Sequence, residues 1–146
     1  MLNVPKSYEH LSVICALTED HRIYWHCQER AYKGADIARF LSGLSKKLGR
    51  KLLIIWDGAR IHFSQAVKDF LAEGYAAQVR LEKLPAYAPE LNPTEQVWQH
   101  LKNVDLANLC AHNLSELKQA LCKAMDKLAP KRRIFKGFLK QVGFRL

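Results

Sequence analysis

With 146 residues, 49% of them hydrophobic, the chain is long enough for one domain around a single buried core and too apolar for a disordered tail. Its 23 Lys and Arg against 14 Asp and Glu give a formal net charge of +9, which attracts polyanions, nucleic acid ahead of an acidic membrane surface. No apolar run reaches the roughly 18 residues of a membrane helix, and the opening MLNVPKSYEH lacks the charged-then-apolar order of a secretory signal, so no membrane and a cytoplasmic location are expected.

Cys15, Cys27, Cys110 and Cys122 stand singly without a CxxC pair, which predicts reduced thiols in place of zinc or disulfides. Two groups of cations cluster. Lys46, Lys47, Arg50 and Lys51 surround one predicted turn, and Lys131, Arg132, Arg133 and Lys136 lie together near the C-terminus. Each group suits either phosphate contact or a solvated face.

Along the chain, residues 11–17, LSVICAL, and 22–28, RIYWHCQ, predict two strands of a hairpin turning at Thr18 to His21. From Gly34 the period changes, with Ile37, Phe40, Leu41, Leu44 and Leu48 at helical spacing and Gly49 as the stop. Residues 51–57, KLLIIWD, form a continuous apolar run ending in an acid, as expected of a central parallel strand buried on both faces. Ser64 can cap the next helix, whose Val67, Phe70 and Leu71 make its apolar stripe and which Gly74 ends.

A further strand is expected at residues 79–84. Pro85, Pro89 and Pro93 then exclude regular structure through PAYAPELNP and imply a rigid, shaped loop. From Pro93 to Asn103 a helix places Val97, Trp98, Leu101 and Val104 on one side and Glu95, Gln99 and Lys102 on the other. Asn113, with Glu116 completing a capping box, opens a helix buried along Leu114, Leu117, Leu121, Met125 and Leu128, which Pro130 ends. The last segment, KRRIFKGFLKQVGF, puts Ile134, Phe138 and Val142 on one face and is interrupted by Gly137. The order β, β, α, β, α, β, α, α, α predicts a mixed α/β layer with helices on both sides, and Asp57 stands beyond a strand end, where such folds place functional groups.

Two segments carry the chemistry, LLIIWDGARIH at 52–62 and LPAYAPELNPTEQVWQHLK at 84–102. Taken singly, Asp57 could serve as a turn former and Glu95 as a helix-dipole partner. Together they resemble the DDE transposases of the insertion-sequence branch of the mariner superfamily. In that family a strand ends in an aspartate followed by a small loop and a histidine, matched by Asp57, Gly58, Ala59 and His62. A tyrosine-proline-leucine-asparagine-proline segment then leads to the last acid, matched by Tyr87, Pro89, Leu91, Asn92, Pro93 and Glu95, with Trp98 and Lys102 after it.

The resemblance spans about Leu11 to Leu121 and implies a ribonuclease-H-like mixed sheet flanked by helices, a single domain over 1–146 with a basic segment at 131–146. It implies DNA cleavage and strand transfer through two Mg²⁺ or Mn²⁺ ions, with Asp57 and Glu95 as metal ligands and His62 and Asn92 as neighbours. The family's first aspartate lies on an opening strand missing here. No aspartate precedes Asp20, which falls in the hairpin turn, and Glu9 is poorly placed to substitute. The two-metal site is therefore expected to be incomplete and the chain inactive alone unless an upstream transposase fragment supplies the strand, and the unpaired sheet edge invites a homodimer. Expected partners are transposon ends, reached through Lys102, Lys131, Arg132, Arg133 and Lys136. His62 could position a phosphate or bond locally, Lys102 could meet phosphate or pair with Glu95 or Gln99, and Trp98 reads as packing ahead of base stacking. A non-catalytic DNA-binding or assembly fragment and a hydrolase of RNA in hybrid duplexes stay open as other readings; the proline-rich segment argues against the second.

Overall fold

The predicted hairpin forms as β2, His10–Leu17, and β3, Ile23–Gln28, paired antiparallel from Leu17 opposite Ile23 to Ser12 opposite Gln28. Its turn closes with the Thr18 N–H on the Arg22 carbonyl at 2.9 Å, and His21 takes the left-handed region at φ 64. Asp20 is exposed and pairs with Arg22 at 3.2 Å, in keeping with a solvent-facing turn. A two-residue strand, β1 (Leu2–Asn3), pairs antiparallel with β2 on the side away from β3.

The computed structural model describes residues 2–3, 10–57, 63–74, 77–85 and 89–143. The chain divides into two compact units, Met1–Ala31 with Glu90–Leu146, and Tyr32–Pro89.

In the first unit the hairpin sheet is joined by α3 (Thr94–His100), α4 (Leu114–Leu128) and α5 (Arg132–Gln141). Leu11, Ile23 and Cys27 of the strands pack with Val97, with Leu117, Leu121, Met125 and Leu128 of α4, and with Phe135 of α5. The Asn113 side chain caps α4 by accepting the Glu116 N–H at 2.9 Å, whereas the Glu116 carboxylate reaches one residue past the expected box to the His112 N–H. In α5 the most buried positions are Phe135 and Leu139, flanked by the half-buried Ile134 and Phe138. The stripe is thus wider than the expected row of Ile134, Phe138 and Val142, and the helix runs unbroken through Gly137.

The register after α3 also differs from expectation. Five residues, Leu101–Asp105, form a π turn closed by the Leu106 N–H on the Leu101 carbonyl at 2.8 Å. One extra residue per turn rotates everything after it by about 100°. Val104, expected on the buried stripe, is consequently 63% exposed, and Leu106 packs on the core.

The second unit holds α1 (Gly34–Leu48), β4 (Leu52–Trp56), α2 (Gln65–Ala72) and β5 (Val79–Lys83). β4 and β5 run parallel from Leu52 opposite Val79 to Trp56 opposite Lys83. Ile37, Leu41 and Leu44 of α1, Val67 and Phe70 of α2, Trp56 and Val79 are its buried apolar positions, and α1 ends on Gly49 in the left-handed region. Within this unit and among the described residues, β4 does not show the cover on both faces that its apolar run suggested. Among the described residues it pairs with β5 alone, and Leu53 and Ile55 stay 60% and 42% exposed.

Ser64 takes the extended cap position of α2 without bonding to the helix; its hydroxyl is buried without a partner and lies against Gly34. A Cβ on Gly34 would overlap that hydroxyl and stand 2.7 Å from the Ser64 Cβ, so α1 can start there only without a side chain. Gly34→Ala is therefore expected to destabilise the protein by about 1–3 kcal/mol, against the usual helical gain from Gly to Ala, read as a lower urea midpoint.

Candidate active site

Asp57 is the first residue beyond β4, at the carboxyl end of the parallel pair, where the Leu84 N–H on the Trp56 carbonyl at 2.7 Å closes the ladder. It is exposed. The apolar run behind it supplies the strand, and the strand delivers the carboxylate to the end where an open α/β sheet carries its functional groups. Gly58, Ala59 and His62 of the same segment, and Tyr87 of the next, lie outside the described residues.

Glu95 stands in the other unit, exposed in the first turn of α3. Pro89–Leu91 form a 3₁₀ turn, and then the Asn92 side-chain oxygen accepts both the Thr94 N–H at 3.2 Å and the Thr94 hydroxyl at 2.7 Å. This Asx-type closure starts α3 and fixes the turn that carries Glu95; the helix's positive end favours its charge. Val97 is fully buried and Trp98 half-buried against the core, so Trp98 packs as expected.

A neighbour of Glu95 went unseen in the sequence. Cys15 of β2 lies close enough that burial first, and the Glu95 carboxylate second, push its thiol up to about 12 from its ordinary 9.0. α3 thus lays its acidic first turn beside β2. Above the unfolded value near 9 the unfolded chain releases this proton before the folded one, so the stability that the neutral thiol contributes is present below pH 9 and is lost as pH rises toward 12. Denaturation midpoints between pH 8 and about 11 are expected to fall with this slope, and Glu95→Gln is expected to make it shallower. An unchanged slope in that variant would place the carboxylate away from β2.

The cations are all solvent-facing. Lys102 is exposed in the π turn, Lys131 precedes α5, and Arg132, Arg133 and Lys136 are exposed on its first two turns; among the described residues none of the five makes an ion pair. Of the acids, no three with His or Cys gather into a metal-holding group among the described residues. No helix there is long and apolar enough to cross a membrane.

The sequence profile of the DDE superfamily endonucleases matches residues 2–118. The chain belongs to that family. A DDE superfamily assignment agrees with the fold. The crystal structure of the Mos1 mariner paired end complex with Mn is similar with a TM-score of 0.70 and 14% identity, covering 97% of this chain and 44% of that one. The fold of this chain is therefore similar to part of that structure, and this DDE chain spans less than half the length of its structural relative. No curated protein matches the chain.

Proposed function

We propose that this chain is part of a transposase catalytic core that cuts transposon ends and joins DNA strands by metal-dependent phosphoryl transfer, and that alone it does not cleave. The observation carrying this reading is the placement of two exposed acids in a DDE-family chain, Asp57 just beyond β4 and Glu95 in the first turn of α3.

Carboxylates are hard oxygen donors suited to Mg²⁺ or Mn²⁺, and the structural relative is a complex with Mn. Asp57 and Glu95 would hold the metal. A bound pair of such ions supplies the positive charge that stabilises attacking and leaving oxygens. Two acids are too few for two ions, and Asp20 is engaged by Arg22 in an exposed turn; on this reading a third carboxylate would be supplied by an upstream transposase fragment. His62 would be a neighbour of the metal, and Asn92 acts by fixing the turn that carries Glu95.

Lys102, Lys131, Arg132, Arg133 and Lys136 bind the DNA backbone. Arg132 and Arg133 occupy the first turn of α5, which holds no acid, so like charge meets the positive end of the helix dipole. Such a placement weakens the helix unless an anion answers it, and DNA phosphate is that anion. The location is cytoplasmic and a second copy can pair through the open strand edge.

The second reading is a non-catalytic DNA-binding or assembly fragment, which the net charge of +9 equally allows. Nicking of supercoiled plasmid in Mn²⁺ separates the two. The chain alone is expected to be inactive, and a form extended upstream to carry the first acid is expected to nick in a manner that depends on Asp57. Nicking by the extended form with Asp57→Asn at the parent rate would overturn the proposal.

A further inference from the structure

At the carboxyl ends of β4 and β5, one residue before Asp57, an aromatic group and a cation meet. Phe63, which immediately precedes Ser64 and α2, sets its ring 6.4 Å from that of Trp56 in an edge-on arrangement. The Lys83 ammonium stands over the Phe63 ring, 5.5 Å from its centre. Trp56 and Lys83 are partners on the last rung of the parallel ladder, so the strands themselves fix two of the three groups. Trp56 is buried, whereas Phe63 remains 46% exposed and Lys83 is exposed. Among the described residues Lys83 meets no carboxylate.

Phe63 keeps nearly half of its surface in solvent while its edge-on neighbour Trp56 is buried. The Arg80 side chain three rungs back pairs with Glu82 at 2.7 Å, while the Lys83 ammonium faces the ring. A fixed aromatic face beside an unneutralised ammonium is the pair of groups that takes one nucleotide, the ring stacking on the base and the ammonium meeting the phosphate. A base inside a duplex has no free face, so the arrangement selects an unpaired one.

We infer that Phe63 and Lys83 form a nucleotide-binding ledge beside Asp57, with Phe63 stacking on an unpaired base and Lys83 contacting that nucleotide's phosphate. The inference rests on the reading that this protein acts on DNA and adds to it a contact that positions a single-stranded or frayed end next to the acid.

The test is binding of labelled oligothymidylate of about 20 nucleotides, and of an abasic strand of equal length, in EDTA across a salt series. The parent is expected to prefer the base-bearing strand by about tenfold, Phe63→Ala to lose that preference with its salt slope unchanged, and Phe63→Tyr to keep it. Lys83→Gln is expected to lower the salt slope by roughly 0.7. Equal binding of both strands by the parent, or a Phe63→Ala variant that retains the preference, overturns the ledge; circular dichroism of each variant guards against a folding loss. Because binding is read without metal, a failed ledge with Asp57-dependent nicking intact leaves the proposed function standing. A Phe63-dependent base preference without nicking by any form does the reverse.

Discussion

In a form of the protein that nicks DNA, Asp57→Asn and Glu95→Gln are each expected to lower cleavage by on the order of 10³-fold, because a metal ligand set stabilises the transition state by several kcal/mol. Both substitutions keep the shape of the side chain and remove only its charge. Asp57 and Glu95 are exposed at the ends of elements whose backbone bonds are made by other groups, so folding stability should change by no more than about 0.5 kcal/mol. Rate loss at constant stability is the signature of a ligand. Parallel loss of both would mean that the acids hold the fold and not a metal.

Phe135→Ala is expected to have the largest structural effect, about 3–5 kcal/mol of lost stability. Phe135 is fully buried in α5, stands 6.2 Å from the ring of Phe138 in an edge-on pair, and belongs to the core built from β2, β3, α3 and α4. Truncation there leaves a cavity between elements that also carry Glu95, so the loss should extend to the acidic turn. Lys136, its exposed neighbour, provides the contrast: Lys136→Ala should leave the thermal midpoint in place and weaken DNA binding with a smaller salt slope. A Phe135→Ala protein as stable as the parent would mean that α5 is not part of the core.

Much of the fold was legible because local signals agreed with one another. The β2–β3 hairpin, α1 with its Gly49 stop, and α4 with its Asn113 cap each combined a clear period with the right boundary chemistry. The departures have separate physical causes. A π turn has no period of its own to read, so Val104 was expected inside and Leu106 was not. The apolar run of β4 reports what the strand can bury, while among the described residues it pairs with β5 and Leu53 and Ile55 stay open. Ser64 has the identity of a cap, yet its hydroxyl faces Gly34.

Asp57 and Glu95 were legible as candidates from their motifs, which the family match spans. What surrounds them was not. Cys15 lies far from Glu95 in sequence and reaches it only through the packing of α3 beside β2, and Lys83 reaches Phe63 only through the pairing of β4 with β5. Contacts made by tertiary packing leave no periodic trace along the chain.

The most direct test of the central claim is calorimetric titration of Mn²⁺ into the chain, into its Asp57→Asn variant, and into the form extended upstream to carry the first acid. Weak or no binding by the chain, and binding by the extended form that Asp57→Asn abolishes, is the expected result. Tight binding by the chain alone that disappears with Asp57 would contradict the account, since the metal site would then be complete without any upstream carboxylate.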